Sequence, residues 1–335
     1  MQIKLFQQLR DAGDTGVSST AICKKSGIKS QQQLDRILRH LAATGVLGIK
    51  QAGVWLYTPL SNELATDHFQ HSILFCHHVT RHVFDGFPEY FNSLAKDDGD
   101  PAAVPGPFQL SMKTDLPFFD YLSANPPFDT YFNYFMRAYR AGNAMWYESY
   151  PVTSRLVEGF DSAASEDVFL VDVGGGKGHD LAAFAAAEQQ HPGKLILQDQ
   201  PSVIAQITPS AEGHAFEPQT HDFFTPQPIR HARAYYLHSI LHDWGDADCA
   251  RILAALKPAL KPGYSKVLFN EIVLSEERPS VAATNMDIMM LGHLNPAHER
   301  TESAWRQLIE SAGYKVVDIV RVAGAAESVI EAEIA

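Results

Sequence analysis

From Asp167 to Gly178 the chain reads Asp-Val-Phe-Leu-Val-Asp-Val-Gly-Gly-Gly-Lys-Gly. An apolar, β-branched run ends in Asp172 and breaks into glycines, and the stretch Asp180 to Glu188 that follows is alanine-rich and helical in pattern. Strand, tight loop and helix in that order form the opening unit of a doubly wound α/β domain built to hold a nucleotide-like ligand. The spacing narrows the ligand. Gly174, Gly176 and Gly178 give G-x-G-x-G, whereas a dinucleotide fingerprint needs its last glycine one position later, where His179 stands. The G-K-[ST] end of a phosphate-cradling P-loop is absent as well.

A second carboxylate completes the site. Lys194-Leu195-Ile196-Leu197-Gln198 reads as the next strand, and Asp199 closes it. An acid there, roughly 20 residues after the glycines, is placed to accept hydrogen bonds from ribose hydroxyls. A loop shaped for close backbone approach but not for pyrophosphate suits S-adenosylmethionine, which has a ribose and no phosphate. The competing explanation, that the glycines only let strand and helix pack closely, does not account for Asp172 and Asp199 flanking them.

With 335 residues and 45% hydrophobic content, the chain can bury a sizeable core in two domains or in one large domain with an appendage. Its net charge of −12 argues against nucleic acid or an anionic membrane as partner. No apolar run approaches membrane-spanning length, and the N-terminus is too short and polar for a signal peptide. Cys23, Cys76 and Cys249 are scattered and lack metal-ligand spacing, as reduced thiols of a cytoplasmic protein would be.

Three regions follow, with boundaries expected at 1–105, 106–160 and 161–335. In the first, residues 34–41 carry apolar side chains at helical spacing, and short strands at 46–49 and 54–57 flank a turn at Gln51-Ala52-Gly53. Helix, helix and β-wing make a winged helix, and the acidic balance favours a structural or dimerising role over DNA binding. A regulator that senses the cofactor is disfavoured on the same ground. A proline- and glycine-rich loop is expected from 97 to 107. The second region, an aromatic connector, runs from Phe118 to Tyr150 and can serve both as packing and as one wall of an apolar pocket. In the third, strands are expected at 168–173, 194–198, 234–238, 266–271 and 315–321.

Polar residues collect at the ends of these strands. Asp172, Asp199, His238, His242 and Glu271 sit at or just past them, and Glu299 follows in Ala297-His298-Glu299-Arg300-Thr301. Strand carboxyl ends face the ligand crevice of a doubly wound sheet, and a histidine oriented by carboxylates is a general-base arrangement. Taken singly, each reads better as an ordinary polar residue at the start of a loop. His238 and His242 have the i, i+4 spacing of a zinc pair on a helix, but His238 falls in a strand and no third ligand is spaced to help, so no metal is expected. His77-His78 reads as a surface or interface pair.

Residues 167–322 resemble the catalytic domain of class I S-adenosylmethionine-dependent O-methyltransferases. The likeness is to the plant caffeate and flavonoid type and its fungal secondary-metabolism branch. It rests on Val171 to Gly178, Leu197-Gln198-Asp199-Gln200-Pro201, His242-Asp243-Trp244, Met289-Met290-Leu291, Glu299-Arg300-Thr301 and Ala312-Gly313-Tyr314, with the winged-helix N-terminus ahead of them. The resemblance implies a Rossmann-like methyltransferase sheet behind an N-terminal winged-helix domain. It makes His242 the base that takes a phenol proton, with Glu271 and Glu299 holding the imidazole. Asp172, Gly174, Gly176, Asp199, Asp222, Phe223 and His238 become cofactor residues. Phe132 and Met136, on a helix like the one that closes the pocket in that family, join Met286, Met289 and Met290 around a small aromatic substrate.

Two departures stand out. The family commonly has lysine where His238 stands, and its members carry interlocking helices ahead of the winged helix, which leaves a homodimer open here. Some fungal relatives of this type keep fold and cofactor yet catalyse pericyclic or dehydration steps, which is the alternative to methyl transfer.

Overall fold

The computed structural model describes residues 3–96, 104–140, 142–163, 166–189, 191–207 and 215–335. Residues 97–103 of the expected loop lie outside the described residues. The chain divides into two compact units. The first runs through Asp85 and resumes from Thr114; the second comprises Gly86–Lys113 and the chain from Gly142 onward.

In the first unit, helices Leu5–Ala12, Ser19–Ser26 and Gln31–Ala43 pack with strands β1 (Val17–Ser18), β2 (Gly48–Gln51) and β3 (Val54–Leu56), paired in the order β1-β3-β2. Side chains set the helix starts: Ser18 Oγ accepts from Ala21 N, and Ser30 Oγ from Gln33 N. The core gathers Leu9, Ile22, Leu34, Leu38 and Trp55, and the Trp55 indole donates to Ser19 Oγ at 2.9 Å. The winged helix is therefore present, with its hairpin shifted by two residues at the first strand. Helices Asp67–Phe75 and Phe128–Arg140 follow in the same unit, and Phe75 packs against Phe118, Phe132 and Phe135. His77 and His78 fall in a π-helical turn, Cys76–Thr80.

The second unit is built on strands β4 (Val168–Val173), β5 (Lys194–Asp199), β6 (Glu217–Thr220), β7 (Ala234–His238), β8 (Lys266–Leu274), β9 (Arg300–Thr301), β10 (Tyr314–Arg321) and β11 (Glu327–Ile334). The order is β10-β11-β8-β7-β4-β5-β6, with β9 paired to β8. Pairing is parallel from β6 to β8 and antiparallel on both sides of β11. Every residue of β4 is buried, which is why Val168 to Val171 read as one unbroken apolar run and not as an alternation. Strand order reverses between β4 and β7, the point where such a sheet opens its ligand crevice.

One boundary differs with consequence. Glu271 does not end its strand: β8 continues to Leu274 because β11 pairs with Ile272 and Glu271, and β9 with Val273 and Leu274.

Candidate active site

The glycine loop is held from below and open in one direction. Gly174 N and Gly175 N both donate to Gln198 O, at 2.8 and 3.2 Å, tying the loop to the end of β5. Gly174, Gly176 and Gly178 all have positive φ, where a side chain is strained. Gly175 is constrained differently, because a Cβ there would lie 2.3 Å from Asp172 Oδ2. Asp172 is thus buried beneath the loop. At Gly176 a Cβ would meet nothing within 4 Å, so this is the loop's open face. Gly176 N donates to Asp199 Oδ2 at 2.8 Å, and Gln200 N to Asp199 Oδ1 at 2.7 Å. Burial raises the pKa of Asp199 and the two N–H donors oppose it.

A half-buried carboxylate beside an open glycine, with Lys177 exposed, is an acceptor set for ribose hydroxyls and not a phosphate cradle. The residues present fit S-adenosylmethionine. Phe223 lies beside the loop: its ring is 3.6 Å from where a Gly174 Cβ would stand. Asp222 is exposed, and its Oδ1 accepts from Phe224 N within its own turn.

His238 ends β7 and its Nδ1 pairs with Asp180 Oδ2. Asp180 stands in the first turn of helix His179–Ala187, directly after the glycines. It also accepts from Tyr236 Oη at 3.4 Å, which in turn accepts from Asn270 Nδ2 at 3.0 Å.

His242 lies four residues on, in a 3-10 turn, Leu241–Asp243. Its Nδ1 donates to Glu299 Oε1 at 2.9 Å, which fixes the tautomer and leaves Nε2 as the proton acceptor. Asp243 Oδ1 is 3.4 Å from Nε2. Glu271 does not touch the ring. Its Oε1 accepts from Ile240 N at 3.0 Å and Leu241 N at 2.8 Å, holding the backbone that leads into His242. Glu299 is set by Asp287, whose Oδ1 accepts from Glu299 N at 2.9 Å.

The second oxygens of Glu271 and Glu299 are buried and accept no hydrogen bond among the described residues. Burial pushes the His242 pKa down, but Asp243, Glu299 and Glu271 outweigh it and raise the value to about 10. Burial raises Glu271 to about 7, against the His242 charge and the two N–H donors. It raises Asp243 to about 6. One histidine inside three carboxylates thus holds its proton strongly.

Met286 and Met290 are buried and Met289 half-buried on helix Val281–Leu294, the helix that carries Asp287. Phe132 and Met136 are half-buried on Phe128–Arg140 in the other unit. Reading the sequence assigned no role to Asp180, Asp243, Asp287 or Arg300, although Asp243 and Arg300 stand inside motifs that carry the resemblance. Asp180 was signalled by its place two residues after the last glycine, and Asp243 by its place beside the histidine. Asp287 carried no signal.

A reversing parallel sheet, a glycine loop closed by the Asp199 carboxylate and a histidine–carboxylate cluster define a methyltransferase-type catalytic domain. The O-methyltransferase domain family matches residues 123–315. O-methyltransferase mpaG' of Penicillium brevicompactum is 48% identical over 335 residues, covering 99% of this chain and 83% of its own. The chain belongs to the O-methyltransferase family. Among solved structures, LepI in complex with SAM superposes with a TM-score of 0.86 at 24% identity, over 99% of this chain and 84% of that one. A pericyclic reaction enzyme gives 0.86 at 23%, with the same coverage. At that identity both speak for the fold.

Proposed function

We propose that the chain transfers a methyl group from S-adenosylmethionine to a phenolic oxygen of an aromatic secondary metabolite, with His242 as general base. The observation that carries this is His242 itself, with Nδ1 fixed by Glu299 and Nε2 left to accept a proton. A phenol has a pKa near 10, and His242 is raised to about 10. Matched values make the proton transfer from phenol to Nε2 close to thermoneutral, so the oxygen gains nucleophilicity as it attacks. The same match has a cost. The free enzyme holds His242 largely protonated at neutral pH, and turnover therefore climbs with pH.

Bound S-adenosylmethionine supplies an electrophilic methyl group on a sulfonium. Asp199 and the Gly174 and Gly176 backbone are the residues to hold it, with Asp172 supporting the loop and Phe223, Asp222 and His238 at its margins. Glu271 holds the backbone of the turn and Glu299 orients the ring. Met286, Met289 and Met290 offer adaptable apolar surface to a planar acceptor. A cytoplasmic homodimer belongs to the same reading, supported by the acidic charge and three free cysteines.

The raised pKa also favours a second reading. An imidazolium can polarise a carbonyl in a pericyclic or dehydration step, and one of the fold's neighbours is a pericyclic reaction enzyme. Mass spectrometry of a panel of polyhydroxylated aromatic ketones incubated with protein and S-adenosylmethionine separates the two. Methyl transfer adds one methyl group to the product. A product of unchanged mass, or one that has lost water, overturns it in favour of the second reading.

A further inference from the structure

The turn that presents His242 is gripped on two sides. Glu271 accepts from the N–H groups of Ile240 and Leu241. Two of the turn's carbonyls go to Arg300, a guanidinium only 2% exposed. Arg300 Nη1 donates to Leu241 O at 3.1 Å and Nη2 to Trp244 O at 2.9 Å, spanning the two residues between which His242 and Asp243 lie. Nε and Nη2 both donate to Asp246 Oδ1, at 3.1 and 2.7 Å, and the guanidinium carbon lies 5.1 Å from the centre of the Trp305 ring.

Arg300 is also the residue after Glu299, on the short strand β9 that pairs with Val273 of β8. One dipeptide therefore supplies the carboxylate that orients the ring and the cation that fixes the backbone beneath it. A buried guanidinium needs its charge matched and its N–H groups filled. Here two of the acceptors are carbonyls of the catalytic turn. Arginine is required because only its planar fork reaches both carbonyls and the carboxylate at once.

We propose that Arg300 is a positioning residue for His242, locked by Asp246, and that the pair sets where Nε2 stands relative to the acceptor oxygen. The inference rests on the methyl-transfer reading for its kinetic consequence. Its structural consequence is independent of it.

Displacing a catalytic group by about 1 Å can cost roughly a hundredfold in rate. Arg300→Met should therefore lower turnover about ten- to a hundredfold on whichever phenol of the panel the wild type methylates. Affinity for S-adenosylhomocysteine, measured by calorimetry, should stay within about twofold, because the glycine loop is untouched. Arg300→Lys should recover part of the loss, since an ammonium can reach some of the acceptors but not all. Hydrogen exchange should rise across 239–246 and not across 168–178.

Asp246 has a 69% exposed side chain, so Asp246→Asn should fold and show the same local exchange with a turnover loss of about threefold. The proposal is overturned if Arg300→Met keeps its turnover while only its melting temperature falls. An exchange increase spread evenly over 168–178 and 239–246 also overturns it, because that is general destabilisation. If Arg300→Met does not fold and Asp246→Asn changes neither exchange nor turnover, the locking pair is refuted. A wild type that methylates none of the panel defeats the methyl-transfer reading, and the exchange measurement alone then decides the clamp.

Discussion

Two histidine–carboxylate pairs stand four residues apart at the end of β7, and they are built for different work. His238 pairs with Asp180, which also accepts from the Tyr236 hydroxyl, itself an acceptor for the Asn270 amide. His242 faces Glu299 at Nδ1 and Asp243 at Nε2, with the Glu271 charge close by. Both pairs are largely buried, so burial does not separate them. The cluster of carboxylates around His242 does. The His238–Asp180 pair joins the end of β7 to the helix that follows the glycine loop. Three acids turn the histidine into a strong base, at the cost of keeping a proton within a buried cluster.

The comparison breaks first at His242. His242→Ala should lower turnover about a hundred- to ten-thousandfold, the range of general-base assistance, while calorimetry with S-adenosylhomocysteine changes little. Turnover that survives nearly intact removes the base. Glu299→Gln keeps an acceptor for Nδ1 and removes a charge, so His242 becomes a weaker base. At pH values where His242 is deprotonated in both proteins, turnover should fall by up to about a hundredfold, by the scale of one to two pKa units. The rising limb of kcat/KM against pH, set in the wild type by a group near 10, should move to lower pH. An unmoved limb would detach Glu299 from the titration.

Glu271 tests the cluster through stability. Its folded pKa of about 7 stands above the ordinary 4.5, so the proton it keeps stabilises the fold fully below about pH 4.5. That contribution is lost as pH rises through 7. Urea unfolding from about pH 5 to about pH 8 should show the wild type losing on the order of 1–3 kcal/mol that Glu271→Gln does not lose. His242 adds a loss of the same sign from 6.5 to about 10, smaller in Glu271→Gln because that substitution removes one of the charges that raise it. Parallel curves through the lower window would show that Glu271 is ionised throughout.

The sheet was legible where residue type and environment agree. β4 and β5 are apolar because both faces of a parallel strand are covered, and their acids stand out because the run ends there. β6, Glu217-Pro218-Gln219-Thr220, was not legible: it is a polar strand at the sheet edge, ordered by its parallel pairing with β5. β11 was hidden by Glu331, which is fully buried yet met by the Tyr150 hydroxyl, Arg155 and Lys266. In the site, the histidine and its two glutamates were legible as a set, but their division of labour was not. Glu271 serves the backbone, and it does so because β8 runs on past it. Arg300 was silent for the same reason as Glu331. A charged residue reads as exposed until the groups that neutralise it, here Asp246 and two carbonyls distant in sequence, are seen together.

The smallest effect is expected at Asp180, and it sharpens the comparison most. Asp180→Asn keeps an oxygen for the Tyr236 hydroxyl and for His238 and removes only the charge. A charge-assisted hydrogen bond exceeds a neutral one by about 1 kcal/mol, which is about fivefold in an equilibrium constant. Because Asp180 sits on the helix that the glycine loop opens into, that loss should appear as S-adenosylhomocysteine binding about fivefold more weakly. Turnover at saturating cofactor should stay within about twofold, since the tie does not reach the turn that carries His242. Calorimetry and steady-state kinetics on the one variant give both quantities. If instead cofactor affinity is unchanged and turnover falls a hundredfold or more, the proton-handling pair is His238 with Asp180, and the three-acid cluster around His242 is the structural one.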